Sequence, residues 1–185
     1  MTGKYRTISL DPEIKAPNRY VYRDTAGKRA RGMLGGFIGL AIGAASEGPG
    51  FRRFDAAASK KPIDIRALVR RHIQAALQTA GFLQLVTANA ETTLRIQIHA
   101  YGVAPVSGRQ LGGVISARAT LTGKNGQTIW QKDEWGNSNT SAMLTDIEQN
   151  PALWPKMAEE AADALARKLI LYTAATQRTI SPTNM

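Results

Sequence analysis

Alternating apolar and polar side chains between residues 94 and 135 constrain the fold of this chain more than any other feature. Leu94–Ala100 alternates strictly, as expected for a strand with one solvent-exposed face, and residues 112–121 repeat the pattern. Asn125-Gly126 is a strong hairpin signal that leads into a returning strand over Thr128–Trp135. With a short apolar strand over 82–86, the sequence predicts an antiparallel sheet of about four strands.

A helix is predicted at each end of this run of strands. The first begins near Pro62 and Asp64 and stops at Gly81, with apolar residues recurring every three to four positions between them. The second runs from Pro151 to about Tyr172, with acidic residues near its start and basic residues near its end. We therefore predict an α+β fold, a two-layer sandwich in which both helices cover one face of the sheet.

A glycine-rich apolar extension, Gly32–Ala45, precedes this predicted domain. Residues four apart share a helix face, and its glycines recur at that spacing. Each interior glycine costs a helix about 1 kcal/mol relative to alanine, so a membrane, a partner or a second copy would have to compensate. The uncharged run is only 13 residues long, about 20 Å as a helix, and is too short for an ordinary single span. The predicted membrane or oligomer contacts are Gly32, Gly35, Gly36, Phe37, Gly39, Leu40 and Gly43.

The alternative to a membrane or oligomer contact is that the glycine-rich stretch is a flexible linker without contacts. The domain organisation of the chain follows from the segments described above. Two short strands are predicted in the polar N-terminal segment, over residues 7–10 and 20–22. The predicted divisions are a polar N-terminal segment (1–31), the glycine-rich segment (32–50), a linker (51–61), the α+β domain (62–173) and a polar tail (174–185).

The net charge of +10 is concentrated in the front of the chain. Residues 1–72 hold 15 of the 24 basic side chains but only 6 of the 14 acidic ones. Such asymmetry indicates contact with an anionic surface, which we assign to Arg29, Arg31, Arg52 and Arg53. The alternative function is a cytosolic protein that binds nucleic acid or another anionic surface through the basic residues of 1–72. Against it, no nucleic-acid module accompanies the charge, and the arginines of the first helix fit an ordinary solvated helix face.

Catalytic machinery is not evident in the sequence. There is no cysteine, and His72 and His99 lie on different elements without an acidic residue at metal-ligand spacing. We therefore predict no catalytic residues, no metal and no cofactor; an enzyme acting through His99 or the tryptophans would need a cleft that the sequence does not show. Trp130 and Trp135 differ by an odd number and should face opposite sides of one strand, which makes the outward one a candidate partner contact.

This order of segments resembles bacterial outer-membrane lipoproteins, with a glycine-zipper-like run before a helix–strands–helix domain. Residues 62–172 resemble small periplasmic domains in accessory lipoproteins of envelope transport and assembly systems. The resemblance implies a non-enzymatic envelope protein with protein partners or self-association, membrane association and no nucleic acid. It also implies the periplasmic side of the outer membrane, if a signal peptide and a lipidated cysteine precede residue 2 in the natural protein; otherwise the chain would be cytoplasmic.

Overall fold

The structure, a computed structural model, describes residues 5–22 and 48–178. Within these ranges it contains six strands and four helices. The strands are β1 (Thr7–Leu10), β2 (Val21–Tyr22), β3 (Gln84–Leu85), β4 (Thr92–Ser107), β5 (Gln110–Gly123) and β6 (Thr128–Ala142). The helices are α1 (Pro49–Ala58), α2 (Ile65–Ala80), α3 (Leu144–Gln149) and α4 (Leu153–Arg178). The glycine-rich contacts predicted above, together with Arg29 and Arg31, lie outside the described residues.

The long strands β4, β5 and β6 form the predicted antiparallel meander. Leu121 of β5 pairs with Leu94 on one side and with Trp130 on the other. The β5–β6 turn contains Gly126 at φ 79°, a left-handed conformation that glycine adopts without strain. The predicted hairpin at Asn125-Gly126 is confirmed.

The prediction of about four antiparallel strands is wrong, because the sheet has six strands and is mixed. β1 runs parallel to both β3 and β4, and β2 runs parallel to β4. The residues 1–31, predicted as a separate segment, thus supply two strands to the same sheet. The local pattern shows that a strand exists, but it does not show which distant strand will pair with it.

Helix α2 begins and ends close to its predicted positions, and α4 begins close to its predicted start. The carboxylate of Asp64 caps α2 by accepting hydrogen bonds from the backbone N–H groups of Arg66 (3.0 Å) and Ala67 (3.1 Å). Gly81 ends the helix in the left-handed conformation, with φ 67°. Helix α4 runs to Arg178 and so extends into the predicted polar tail.

The stretch 51–61, predicted as a linker, is largely helical, and that prediction is wrong. Phe54 of α1 is fully buried, and its ring lies 5.3 Å from that of Trp154 and 5.8 Å from that of Tyr20. Ala57 and Ala58 are buried on the same side. The spacing of these apolar residues is that of an amphipathic helix, although charged residues and alanines around them obscure it.

Helix α4 packs very closely on β5 and β6. A Cβ atom added at Gly136 of β6 would lie 1.9 Å from the carbonyl oxygen of Ala161, and one at Gly113 of β5 would lie 2.7 Å from that of Met157. The two glycines therefore allow the helix backbone to approach the strands directly. Among the helices of the described ranges, none is long and apolar enough to cross a bilayer.

Candidate functional site

The face of the sheet that points away from α2 and α4 is the candidate site. Successive residues of a strand point to opposite faces, and one set, including Leu94, Ile96 and Ile115, is buried beneath the helices. The alternate set forms a broad polar surface over three strands of 14 to 16 residues, which we call the open face. Its main polar and aromatic residues are Arg95, Gln97, His99, Ser116, Arg118, Thr120, Gln131, Asp133 and Trp135.

An ion pair between Arg118 and Asp133 lies at the centre of the open face. The two residues are direct partners in the β5–β6 register, so their side chains project side by side. Arg118 donates two hydrogen bonds of 2.9 Å, from Nε and Nη2, to the two carboxylate oxygens. The hydrogen bond from Arg118 is the main cause that lowers the pKa of Asp133, and Asp133 in turn raises the pKa of Arg118. The carboxylate is therefore held ionised.

His99 extends this pair toward β4. Its Nε2 lies 3.3 Å from Oδ1 of Asp133, and this contact contributes further to the lowered pKa of that carboxyl. The β4–β5 register is irregular between Ile98 and Ala100, and His99 occupies the irregularity. The local bulge thus allows the imidazole to reach a residue two strands away.

A second ion pair lies on the β1 side of the same face. Arg95 donates from Nε to Oδ2 of Asp11 at 2.9 Å. The hydrogen bond from the backbone N–H of Glu13 is the largest cause that lowers the pKa of Asp11, and the hydrogen bond from Arg95 is the second largest. The two arginines of the open face are thus both paired with carboxylates, and the surface carries little unpaired charge.

The two candidate tryptophans lie on opposite sides of β6, as predicted. Trp130 is on the helix side and packs against the hydrophobic core. Trp135 is on the open face, opposite Ser116, and is 38% exposed. The backbone carbonyl of Trp135 also accepts a hydrogen bond of 2.8 Å from Nζ of Lys168 on α4, which fixes the strand at this point.

The open face has the features of a recognition surface. In the parts of the chain that the structure describes, no group of three or more His, Asp or Glu side chains is placed to hold a metal ion. The central carboxylate is occupied by Arg118, and Thr120 with Gln131 continues the cross-strand polar contacts at 3.4 Å. A charge-paired surface with one exposed tryptophan is suited to contact another macromolecule.

Much of the basic surface predicted from the front of the chain is used internally. Arg70 donates to the backbone carbonyls of Asp11 and Pro12, and Arg71 pairs with Glu159. These contacts tie the N-terminal segment and α4 to α2, which weakens the nucleic-acid alternative.

The two arginines of α1 differ from each other. Arg53 donates from Nε to Glu148 of α3 at 2.7 Å, whereas Arg52 is exposed and has no acidic partner within residues 5–22 and 48–178. Of these two predicted anionic-surface contacts, Arg52 is the one that the fold leaves available.

Sequence reasoning underestimated Asp133 and Glu159. The sequence marks Asp133 only as an ordinary edge-strand charge and Glu159 only as an acidic residue near the start of the last helix. In the structure Asp133 joins strands of the open face, and Glu159 contacts His72 at 2.6 Å. The sequence could have indicated the side on which Asp133 lies, because the two-residue period of a strand places it on the same face as Gln131 and Trp135. The pairing with Arg118 and His99 depends on the register, which the sequence does not give.

Most of the described domain matches the model of a known protein family. Residues 53–169 match the model of the LptE family, described as lipopolysaccharide-assembly. No curated protein sequence gives a significant match.

Several solved structures are similar to part of this chain. Protein XCC0632 from Xanthomonas campestris has 14% identity and a TM-score of 0.49, over 63% of this chain and 65% of that protein. Protein CT253 from Chlamydia trachomatis has 12% identity and a TM-score of 0.47, over 64% and 87%. A minor lipoprotein from Acinetobacter baumannii has 14% identity and a TM-score of 0.45, over 58% and 82%.

Proposed function

This chain belongs to the LptE family of lipopolysaccharide-assembly proteins, and on that premise we propose that its open face binds a protein partner during outer-membrane assembly. The family consists of non-enzymatic envelope lipoproteins, which agrees with the prediction that the chain is not an enzyme. The predicted resemblance to bacterial envelope lipoproteins is likewise confirmed by the family match, whereas its glycine-zipper part is not tested by that match.

The exposure of Trp135 beside a charge-paired surface is the observation that carries this proposal. Large aromatic side chains at the centre of a contact supply much of its binding energy, because they exclude water over a large apolar area. The ion pairs of Arg118 and Arg95 are already formed within the chain, so these side chains are held in position before the surface meets a partner. A preformed surface loses less conformational entropy on binding.

A protein fits the open face better than an anionic polymer or a bilayer. Both arginines of the face are matched by a carboxylate, so the face offers few free cations for phosphates. The exposed apolar side chain is a single tryptophan surrounded by amides, hydroxyls and paired charges. Such a composition is typical of non-obligate protein interfaces.

The glycine-rich segment is a second part of the proposal and concerns residues outside the described ranges. The four-residue spacing of Gly35, Gly39 and Gly43 supports a helix that packs on a membrane or in an oligomer. Under this proposal the segment is a contact device added to the α+β domain. Replacing the three glycines by leucine would change oligomer mass or membrane fractionation; unchanged behaviour in both assays would exclude the role.

The protein-binding role of the open face is tested by Trp135→Ala in cells that depend on this protein. We expect less lipopolysaccharide at the cell surface, because the apolar anchor of the contact is lost while the fold remains. Leu171→Ala is the matched control, since Leu171 is 69% exposed on α4 and far from the open face in the fold.

The two variants must first have the circular dichroism and thermal unfolding of the wild type. If Trp135→Ala is folded and assembles lipopolysaccharide as well as Leu171→Ala, the open face does not have the proposed role. If both variants lose assembly equally, the effect is unrelated to this surface and the proposal also fails.

A further inference from the structure

Exposed apolar side chains gather at the end of the sheet where β4 turns into β5. Val106, at the tip of this hairpin, is 54% exposed, and Met143, at the start of α3, is 45% exposed. Two of the four large apolar residues that are exposed in the described ranges therefore lie at one end of the sheet. Exposed apolar residues at a loop tip indicate contact with an apolar or interfacial environment.

The strand pairing shows that these two residues belong to the same end. Leu111 at the start of β5 pairs with Ala142, which directly precedes Met143. Next to this pair, Ser141 donates a hydrogen bond of 2.7 Å to the side-chain carbonyl of Gln110. The hairpin tip and the start of α3 are thus joined across β5 and β6.

Basic residues occupy the same end. Arg109 lies in the hairpin beside Val106, and Arg52 and Lys60 line a groove of about 310 Å³ between α1 and α3. Glu148 also lines this groove but is engaged by Arg53. Lys60 also lowers the pKa of Glu148 by its charge, after the larger effect of Arg53, whereas no carboxylate of residues 5–22 and 48–178 forms an ion pair with Arg52 or Arg109.

The two described ranges, 5–22 and 48–178, also meet near this end of the sheet. Tyr22 of β2 pairs with Val103 near the hairpin, and a Cβ atom at Gly50 of α1 would lie 2.6 Å from the Tyr22 ring. The 25 residues between Tyr22 and Gly48 therefore depart and return at neighbouring points. The sequence of residues 23–47 includes the uncharged run Met33–Ala45, with Arg29 and Arg31 on its N-terminal side.

We propose that this end docks on the surface of a bilayer containing anionic phospholipid. We call it the hairpin end and define it by Val106, Arg109, Met143, Arg52 and Lys60. The apolar side chains would enter the interfacial layer while the cations contact lipid phosphates, the combination that binds proteins to anionic membranes. Arg52 and Arg109, which have no acidic partner among the described residues, favour a phosphate-rich surface over a protein interface, where charges are usually matched. This inference does not depend on the proposed role of the open face.

Vesicle co-sedimentation of the full chain tests the docking. The probes are vesicles of phosphatidylglycerol with phosphatidylcholine and vesicles of phosphatidylcholine alone. The charge variant is Arg52→Gln with Arg109→Gln, and its matched control is Lys124→Gln with Arg167→Gln, which removes the same charge away from the hairpin end. All variants retain residues 23–47, so that segment does not account for a difference between them.

We expect the charge variant to bind anionic vesicles about thirtyfold more weakly, since each basic residue at such a surface contributes roughly a fivefold factor. The control should change several-fold less. A second variant, Val106→Ser with Met143→Ser, should lose about tenfold through lost apolar contact, against Leu171→Ser as its control.

Equal binding by the charge variant and its control would overturn the proposal, as would equal binding of the wild type to anionic and neutral vesicles. Loss of lipopolysaccharide assembly by Trp135→Ala without loss of vesicle binding supports two separate surfaces. Failure of the Trp135 experiment would leave the vesicle result, and hence this inference, unaffected.

Discussion

Gly136→Ala is the substitution whose effect follows most directly from the geometry of the fold. The added Cβ atom would lie 1.9 Å from the carbonyl oxygen of Ala161 and 2.6 Å from the backbone nitrogen of Leu165. Both contacts are with the backbone of α4, which has no rotamer to change. The helix or the strand must therefore move by more than an ångström, and the packing of fully buried residues such as Leu165 would be disrupted.

Overpacking of this kind costs about 3 kcal/mol or slightly more in the free energy of unfolding. For a domain of this size the loss corresponds to a fall of roughly 6–12 °C in the melting temperature. Equilibrium urea unfolding followed by circular dichroism measures the free energy directly. Gly48→Ala is the matched control, because a Cβ atom there would meet nothing within 4 Å. If the Gly136 variant is as stable as the Gly48 variant, α4 does not approach β6 as described.

Three further predictions concern the open face, the core and a helix cap. The pKa of Asp133 is lowered in the folded protein, so the ionised carboxylate contributes to the free energy of unfolding above the unfolded-state pKa. This contribution is lost as the pH falls through the folded-state pKa. Asp133→Asn removes the titrating group, so the stability of this variant should fall less steeply toward acid pH. Urea unfolding across this acid range measures it, and an unchanged curve would contradict the Arg118 ion pair. Trp154→Ala should cost about 3–5 kcal/mol in chemical denaturation, because Trp154 is fully buried. Asp64→Ala should cost about 1 kcal/mol in the same assay through loss of the α2 cap, whereas no change would argue against that cap.

The sequence predicts best those elements whose cause is local. The β5–β6 hairpin follows from Asn125-Gly126, and α2 follows from an acidic cap, an amphipathic stripe and Gly81. The opposite orientation of Trp130 and Trp135 follows from the two-residue period of a strand alone. The family expectation, a non-enzymatic envelope lipoprotein, is confirmed by the match over residues 53–169.

What the sequence does not predict depends on contacts between distant residues. Ser9 of β1 pairs with Thr93 of β4, 84 residues away, and nothing local indicates this parallel pairing. Helix α1 is obscured because its buried Phe54 is followed by alanines that suit a linker as well as a helix. The contact of His99 with Asp133 requires an irregularity in β4, which no periodic pattern reveals.

Site-specific photocrosslinking in living cells tests most directly whether the open face is the partner surface. A photoreactive residue would replace Gln131 or Trp135 on the open face, and Leu171 on α4 as the control. The account predicts that positions 131 and 135 crosslink to one protein of the outer-membrane assembly machinery and that position 171 does not. Crosslinks to that protein from position 171 alone, or from none of the three positions in functional cells, would contradict it.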